Sequence, residues 1–298
     1  MTGGLALGID IGGSKTLLMV LDISGQIIGR NSFPTSPDIS KLSESIHDFL
    51  KQNNILRKDI LGIGFGIAGS TDSSNGIVID APAMQWRNLD IKDALSKKMD
   101  YPFHFQFDND VNSALAGEKW LGIGKNCDPL VYISIGTGLG SSIFANGKFI
   151  KGFHYLAGEI GSWLDKDDLF REKKNVLGKF GVTELKVSGT ALERNYGSSF
   201  KLFEDCKRGV KKAVAIMDEF QVNLSILLAN VTSFLNPEKI ILGGGLADAL
   251  SDQLPVICDR IREHTPTPVT IDISSLGNDA AAIGAAACIF QKFHGELY

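Results

Sequence analysis

The chain opens with the stretch LGIDIGGSKTLLMVLD, residues 7–22, in which two apolar segments are joined by a pair of glycines. This pattern predicts two strands linked by a tight turn at Gly12–Gly13. The next segment, QIIGRNSF, follows a second short turn at Ser24–Gly25, which extends the prediction to a three-stranded antiparallel meander. The first strand carries one carboxylate, Asp10. A buried carboxylate is costly unless it is paired or bound to a metal, so Asp10 needs a partner.

Strands and helices alternate along the rest of the chain, which indicates the α/β class. In SKLSESIHDFLKQN the apolar residues Leu42, Ile46, Phe49 and Leu50 share one helical face. The strands ILGIGFGIAG and FHFQFDND follow this helix. The order of elements therefore predicts a sheet that is covered by helices.

The pattern starts again near Val111, because a helix leads into LVYISIGTGLGSSIFANGKFIKG, which repeats the strand, glycine turn and returning strand of the opening. We therefore expect two similar α/β domains, residues 1–115 and 116–279. The final segment, about 280–298, is a helix rich in small residues that can approach a neighbour closely, and we expect it to pack back on the first domain.

Composition restricts the function classes. The chain has 298 residues with 30 basic and 34 acidic side chains and a net charge of −4, which gives no indication of nucleic-acid binding. The longest apolar runs are interrupted short of a membrane span, and no secretory signal is expected at the start. The four cysteines lack C-x-x-C spacing, so we expect a reduced, cytoplasmic protein.

Three glycine-rich turns follow apolar strands and are candidates for binding phosphate, because glycine lets backbone N–H groups approach phosphate oxygens. A single glycine turn after a strand is more often purely structural than a binding site, and the conjunction of these turns with Asp10 is the stronger signal. The Walker spacing is absent, and the turn at Gly12 leads into a strand rather than a helix, which disfavours the dinucleotide fold. The turns are Gly12-Gly13-Ser14-Lys15-Thr16, Gly136-Thr137-Gly138-Leu139-Gly140 and Gly243-Gly244-Gly245.

The segment FDNDVN places Asn109 and Asp110 at the end of a strand and the start of a helix. A carboxylate at this position can accept the proton of an attacking hydroxyl in phosphoryl transfer. The alternative is that Asn109 or Asp110 only caps the helix. Asp10 could likewise cap its turn, and Lys15 could be a solvated turn residue rather than a phosphate ligand.

Six segments in order over essentially the whole chain resemble the sugar kinases of the ROK family, within the actin, heat-shock ATPase and hexokinase superfamily. The resemblance implies two ribonuclease H-like domains flanking a cleft in which ATP and sugar meet. The segments are DIGGSK, APAMQWRN, DNDVNSALAGE, SIGTGLGSS, LAGEIGS and IILGGGLA.

The resemblance also implies roles for individual residues. Asp110 would be the general base, Asn109 would hold a neighbouring sugar hydroxyl, and Asp10 would bind Mg²⁺ through water. The three glycine turns would bind ATP. A homodimer through the second domain is implied as well. The remaining acceptor-site residues are implied to be Glu159, Glu184, Gly69 and Ser162.

The segment after LAGEIGS departs from the family pattern. Family members carry a histidine and three cysteines that bind a structural zinc, and here Ser162, Asn175, Leu177 and Val182 occupy those four positions. Because a partial ligand set binds zinc poorly, we expect no zinc. We expect Leu177, Phe180 and Val182 to pack this loop instead.

Two implied sugar contacts are also missing, because Ala83 and Ser162 stand where relatives have Asn and His. Small residues at these positions enlarge a pocket and remove hydroxyl recognition. We expect an ATP- and Mg²⁺-dependent hexose kinase of glucose type that phosphorylates the 6-hydroxyl. The alternatives are a kinase for N-acetylmannosamine or N-acetylglucosamine, polyphosphate as the donor, and a non-catalytic sugar-binding regulator.

Overall fold

The computed structural model describes residues 4–295 and Leu297. Contacts divide the chain into two compact units, and each is described here by itself. Unit 1 comprises the chain up to Asn126, the segment Gly152–Leu156 and the residues from Asp279 onward. Unit 2 comprises Cys127–Lys151 and Ala157–Asn278. The first division falls after Asn126, whereas the sequence analysis placed it near 115.

Unit 1 is built on a five-stranded sheet. Its order is β3-β2-β1-β4-β8, with β1, β2 and β3 antiparallel as the sequence predicts and β4 and β8 parallel to β1. The Gly12–Ser14 turn leads directly into β2. The strands are β1 (Leu5–Ile11), β2 (Lys15–Leu21), β3 (Ile27–Pro34), β4 (Ile60–Ile67) and β8 (Phe105–Asn109).

Helices cover both faces of this sheet because successive side chains of a strand point to opposite sides. Leu7, Ile9 and Ile11 of β1 pack with the buried residues of α1 and α2. The helix α1 begins after Asp38, whose carboxylate accepts from the N–H of Ser40, and it buries Leu42, Ile46, Phe49 and Leu50. The helices of unit 1 are α1 (Ile39–Gln52), α2 (Ile91–Lys98), α3 (Asp110–Trp120) and α9 (Ala280–His294).

The other face is covered by α3 and α9, and small residues allow the close approach. A Cβ at Gly8 of β1 or at Gly64 of β4 would overlap a backbone oxygen of α9. A Cβ at Gly117 of α3 would likewise overlap the carbonyl oxygen of Ala280. The small-residue composition of α9 thus produces direct backbone packing on the sheet of unit 1.

A small antiparallel sheet extends unit 1 between β4 and α2. It contains β5 (Ser70–Asp72), β6 (Ile77–Ala81) and β7 (Trp86–Asp90). Gly69 precedes β5 with φ +153, and a Cβ there would overlap the carbonyl oxygen of Asp80. This glycine is required by space as well as by backbone conformation.

Unit 2 repeats the strand order of unit 1, and it includes the repeated strand, glycine turn and returning strand that the sequence predicts. Its sheet order is β11-β10-β9-β12-β13, with β9 antiparallel to β10 and parallel to β12. The strands are β9 (Leu130–Ile135), β10 (Leu139–Ala145), β11 (Lys148–Phe149), β12 (Lys239–Gly243) and β13 (Thr270–Ile273).

The helices of unit 2 pack around α7, whose buried side chains include Phe220, Leu224 and Leu228. Within the described residues, α7 is the helix with the length and apolar character of a membrane span, and its buried face belongs to the core of unit 2. It ends where Asn236 adopts a left-handed conformation before Pro237. The helices are α4 (Lys166–Phe170), α5 (Gly189–Tyr196), α6 (Ser199–Lys207), α7 (Lys211–Leu235) and α8 (Leu254–His264).

Candidate active site

Asp10 and Asp110 lie near each other at one edge of the sheet in unit 1. In the register of the parallel strands, Asp10 of β1 is paired with Gly66 of β4. A Cβ at Gly66 would lie 3.4 Å from the Cα of Asp110 and 2.9 Å from Ser113 Oγ. The missing side chain of Gly66 therefore lets the first turn of α3 approach the strand next to Asp10.

The electrostatics of Asp10 reflect this proximity. Burial and repulsion from the Asp110 carboxylate together raise the pKa of Asp10 to about 8. The positive charge of Lys15 acts in the opposite direction, and the negative charge of Asp279 adds to the rise. The protein therefore supplies less positive charge near Asp10 than is needed to balance the neighbouring carboxylates.

Asp110 is the first residue of α3, and Asn109 is its N-cap. Asn109 Oδ1 accepts from the N–H of Asn112 at 2.6 Å, so the capping role that the sequence left open belongs to Asn109. Asp110 Oδ1 accepts from its neighbour Val111 N–H at 3.1 Å. Burial raises the pKa of Asp110 despite this bond. A carboxylate whose pKa is raised toward neutrality is a stronger base.

The turn at Gly12–Ser14 lies beside Asp10 and is held by hydrogen bonds. Gly12 N–H donates to Lys15 O at 3.0 Å, and Thr35 Oγ1 donates to Gly12 O at 2.8 Å. Thr35 Oγ1 also lies 2.9 Å from Thr16 Oγ1, and Thr16 is buried. Gly13, Ser14 and Lys15 are exposed. Thr16 thus supports the turn from below while the turn itself is open to a ligand.

In unit 2 the other two glycine turns are neighbours. Gly136 follows β9 and Gly243–Gly245 follows β12, the parallel strand next to it. A Cβ at Gly136 would lie 3.5 Å from the N of Gly245. Leu246 N–H donates to Ile135 O at 2.9 Å. The N-terminus of α5 adjoins the first turn, because Gly189 N–H donates to Gly136 O at 2.7 Å.

Glu184 lies directly against the Gly136–Gly138 turn. Its Oε1 accepts from Leu139 N–H at 2.8 Å, and its Oε2 accepts from Gly181 N–H at 2.8 Å. A Cβ at Gly138 would overlap Glu184 Oε1. Burial raises the pKa of Glu184 in spite of the two N–H donors.

Glu159 is exposed and comes immediately before a short helical turn, Ile160–Ser162. Gly161 in that turn accepts from the N–H groups of Thr183 and Glu184 at 2.9 and 3.0 Å. The segment that carries Glu159 and Ser162 is therefore joined to the one that carries Glu184.

The loop at 175–182 differs from its expected packing. Val182 is buried as predicted, but the prediction for its two partners is wrong, because Leu177 is 58% exposed and Phe180 42% exposed. Polar contacts hold the loop instead, through Asn175 and through Asp168, which the sequence analysis did not single out. No group of metal-ligating side chains occurs within residues 4–295 and Leu297.

Sequence reasoning also missed Gly66, Arg30 and Asp279. Arg30 Nη2 forms an ion pair with Asp279 Oδ1 at 2.8 Å, just before α9. A signal for Asp279 was present, since an acidic residue before a helical run is typical of a helix start. Its influence on Asp10 depends on a contact between distant parts of the chain.

The model of the ROK family matches residues 6–292, and the chain belongs to the ROK family. A glucokinase from Halalkalibacterium halodurans is 28% identical over 315 residues, which cover 96% of this chain and 95% of that protein. A xylose repressor from Bacillus subtilis is 27% identical and covers 97% of this chain and 78% of the repressor. The family relatives thus include both enzymes and regulators.

Solved structures agree with this assignment. A ROK family glucokinase from Streptomyces griseus, in complex with glucose and AMPPNP, aligns with a TM-score of 0.77 and 25% identity over 96% of this chain and 99% of that chain. The fold is therefore the mixed α/β fold of the ROK kinases, of the actin-like ATPase type.

Proposed function

We propose that this protein is an ATP-dependent hexose kinase that phosphorylates the 6-hydroxyl of a glucose-type sugar. The observation that carries the proposal is the placement of Asp10 and Asp110 around Gly66, with the Asp110 charge raising the pKa of Asp10. The N-cap of α3 is supplied by Asn109, so Asp110 is not needed for that role. The fold does not require two carboxylates at this place. Their proximity therefore supports a role in phosphoryl transfer.

Asp110 is the general base in this proposal. Its carboxylate accepts the proton of the 6-hydroxyl as the sugar oxygen attacks the γ-phosphorus of ATP. The bond from that oxygen to phosphorus forms, the bond to the β,γ-bridging oxygen breaks, and ADP leaves. The cap at Asn109 orients the first turn of α3, which presents the Asp110 carboxylate.

Burial and a neighbouring carboxylate raise the pKa of Asp10. A divalent cation would offset both effects, so Asp10 fits such a cation. Asp10 would hold Mg²⁺, with Lys15 beside it as a mobile positive charge. When bound, Mg²⁺ neutralises charge on the phosphates during transfer.

The glycine turns supply backbone donors for the nucleotide. In unit 1 the turn Gly12-Gly13-Ser14-Lys15-Thr16 would bind phosphate through its exposed residues Gly13, Ser14 and Lys15, while the buried Thr16 supports the turn. In unit 2 the adjacent turns at 136–138 and 243–245 would supply a second set of backbone donors. Gly245 is exposed, and a Cβ built there meets no atom within 4 Å, so this turn leaves room for a ligand.

The acceptor would be held by Glu159 and Glu184, whose carboxylates can accept hydrogen bonds from sugar hydroxyls. Asn109, Gly69 and Ser162 complete this set.

A second candidate, an N-acetylhexosamine kinase, is favoured by the small side chains at Ala83 and Ser162. Ala83 is exposed, and a Cβ at Gly13 would lie 3.3 Å from Ala83 Cβ, which places an open position beside the phosphate turn. The space could accept an N-acetyl group of N-acetylmannosamine or N-acetylglucosamine.

A coupled assay for ADP release tests the proposal. The acceptors are glucose, mannose, fructose, allose, N-acetylmannosamine and N-acetylglucosamine, each with Mg²⁺ and either ATP or polyphosphate as the donor. We expect sugar-dependent ADP release with glucose that is lost in Asp110→Asn. Sugar binding without turnover for any acceptor or donor would refute the kinase and favour a regulator. Cytoplasmic localisation and a homodimer also remain proposals.

A further inference from the structure

The segment between Gly161 and Lys186 in unit 2 is closed by the side-chain amide of Asn175. Asn175 Nδ2 donates to Ser162 O at 2.6 Å, and Asn175 Oδ1 accepts from Val182 N–H at 3.0 Å. One amide therefore ties together two chain positions that lie 20 residues apart. We call these two bonds the amide clamp.

The amide clamp adjoins the groups that hold Glu184. Gly181 N–H, the neighbour of the clamped Val182, donates to Glu184 Oε2 at 2.8 Å. Gly161 O, the neighbour of the clamped Ser162, accepts from Glu184 N–H at 3.0 Å. Each end of the clamp is thus one residue away from a hydrogen bond that fixes either the backbone or the carboxylate of Glu184.

A charge cluster around the buried Asp168 also belongs to this segment. Asp168 is 0% exposed and forms ion pairs with Lys173 at 2.9 Å and with Lys186 at 2.6 Å. Lys186 Nζ also lies 2.6 Å from Asp165 Oδ2. Burial acts to raise the pKa of Asp168, but the bonds from Lys186 and Lys173 outweigh it and hold the pKa well below its usual range. The cluster therefore stays ionised and keeps Lys186, two residues after Glu184, in place.

Apolar packing does little to order residues 175–180, because Leu177 and Phe180 are largely at the surface. Polar contacts must supply the order that a packed side chain supplies elsewhere. The amide of Asn175 adds a side-chain bridge to the bonds that already join the two segments, which run from Thr183 and Glu184 N–H to Gly161 O and from Thr183 Oγ1 to Trp163 O.

We propose that Asn175 is a positioning residue for acceptor specificity, whose amide holds residues 161–162 and 181–182 together so that the Glu184 carboxylate faces the sugar. This inference rests on the proposed function, in which Glu184 binds the acceptor hydroxyls. In this inference Asn175 acts only through Glu184.

The effect belongs to acceptor binding rather than to overall stability. Without the amide, Val182 N–H loses its acceptor, but the bonds from Thr183 and Glu184 N–H to Gly161 O still join the two segments, so the fold is retained while Glu184 becomes more mobile. The loss corresponds to about a five- to tenfold rise in the KM for the acceptor, the range expected for one net hydrogen bond.

The experiment compares Asn175→Ala with Lys174→Ala, an exposed neighbour, and with Asn175→Asp, which keeps the acceptor for Val182 N–H and loses the donor to Ser162 O. Amide hydrogen exchange is measured by NMR at Leu139, Gly181 and Val182. The KM for the acceptor, the KM for ATP and kcat are measured in the same variants.

We expect faster exchange at Gly181 and Val182 in Asn175→Ala, a higher acceptor KM, and a kcat and ATP KM within about twofold of the wild type. Asn175→Asp should be intermediate, and Lys174→Ala unchanged. Unchanged exchange in Asn175→Ala overturns the clamp, as does a fall in kcat and melting temperature with an unchanged acceptor KM.

The exchange data also separate this inference from the proposed function. A wild-type protein that phosphorylates no sugar refutes the kinase. In that case, faster exchange at Gly181 and Val182 together with weakened sugar binding supports the clamp, and unchanged exchange refutes it.

Discussion

Asp10 lies close enough to Asp110 that the charge of Asp110 helps to raise the pKa of Asp10 to about 8, with burial as the larger cause. The two residues are 100 positions apart in the chain and are brought together because β1 and β8 flank β4 in one sheet. Gly66 of β4 provides the space between them. Most of the expected behaviour of this protein follows from this pair.

Removal of the base is expected to abolish turnover while the sugar still binds. Asp110→Asn and Asp110→Ala should each lower kcat by about 10²–10⁴-fold, because the attacking hydroxyl loses its proton acceptor. Steady-state kinetics and calorimetric titration with sugar measure the two quantities. Near-normal kcat in both variants would remove Asp110 from its assigned role.

The stability of the ligand-free protein is expected to fall as pH rises. Because the folded pKa of Asp10 is about 8 and the unfolded pKa is near 3.8, the folded state holds this proton more tightly. The stability that this provides is fully present below pH 4 and is lost as pH rises through 8. Asp10→Asn should remove this loss, which amounts to a few kcal/mol, on the order of magnitude set by the shift.

Urea unfolding at several pH values between 5 and 8.5, without Mg²⁺, measures this difference. The free energy of unfolding of Asp10→Asn should exceed that of the wild type by an amount that grows with pH and is largest at pH 8.5. Asp48→Asn, on the exposed side of α1, serves as the matched control. Equal pH slopes for Asp10→Asn and the wild type would count against the buried, uncompensated state of Asp10.

A methyl group at Gly8 is expected to destabilise unit 1. The Cβ would overlap the carbonyl oxygen of Ala282, so β1 and α9 would have to separate, at a cost of about 2–4 kcal/mol. Gly245→Ala is the control for the free energy of unfolding, since its Cβ meets no atom within 4 Å. Thermal and urea unfolding measure the free energy of unfolding of both variants. Equal stability of the two variants would contradict the backbone packing of α9.

Zinc is expected to be absent from the purified protein. Ser162, Asn175, Leu177 and Val182 offer no thiolate or imidazole, and borderline-soft zinc prefers those ligands. Elemental analysis of protein purified without chelator measures the content, and treatment with a chelator should leave the melting temperature unchanged. Stoichiometric zinc would refute this expectation.

Local patterns in the sequence were sufficient for the strands, the glycine turns and the buried face of α1, because each depends on residues close together in the chain. The second glycine turn likewise predicted a repeated strand, turn and returning strand, whereas the full strand order of the two units was not evident from local patterns. The structure places Asp10 and Asp110 near each other within unit 1, and their roles in the reaction are proposals.

Contacts between segments that are far apart in the sequence could not be predicted from local patterns. Leu177 and Phe180 looked like core residues by type, but no neighbouring element covers them, and hydrogen bonds of Asn175 hold the loop. The role of Gly66 depends on the approach of α3 to β4, and no local pattern distinguishes it from the other glycines of β4.

The packing of α9 on β1 and β4 has a consequence for biosynthesis. The ribosome makes all of unit 2 before α9, so the face of the first sheet that α9 shares with α3 is only partly covered while roughly half of the polypeptide is being added. Completion of the first unit must await the synthesis of α9, and the nascent chain in that interval is a natural client for chaperones that shield exposed sheets.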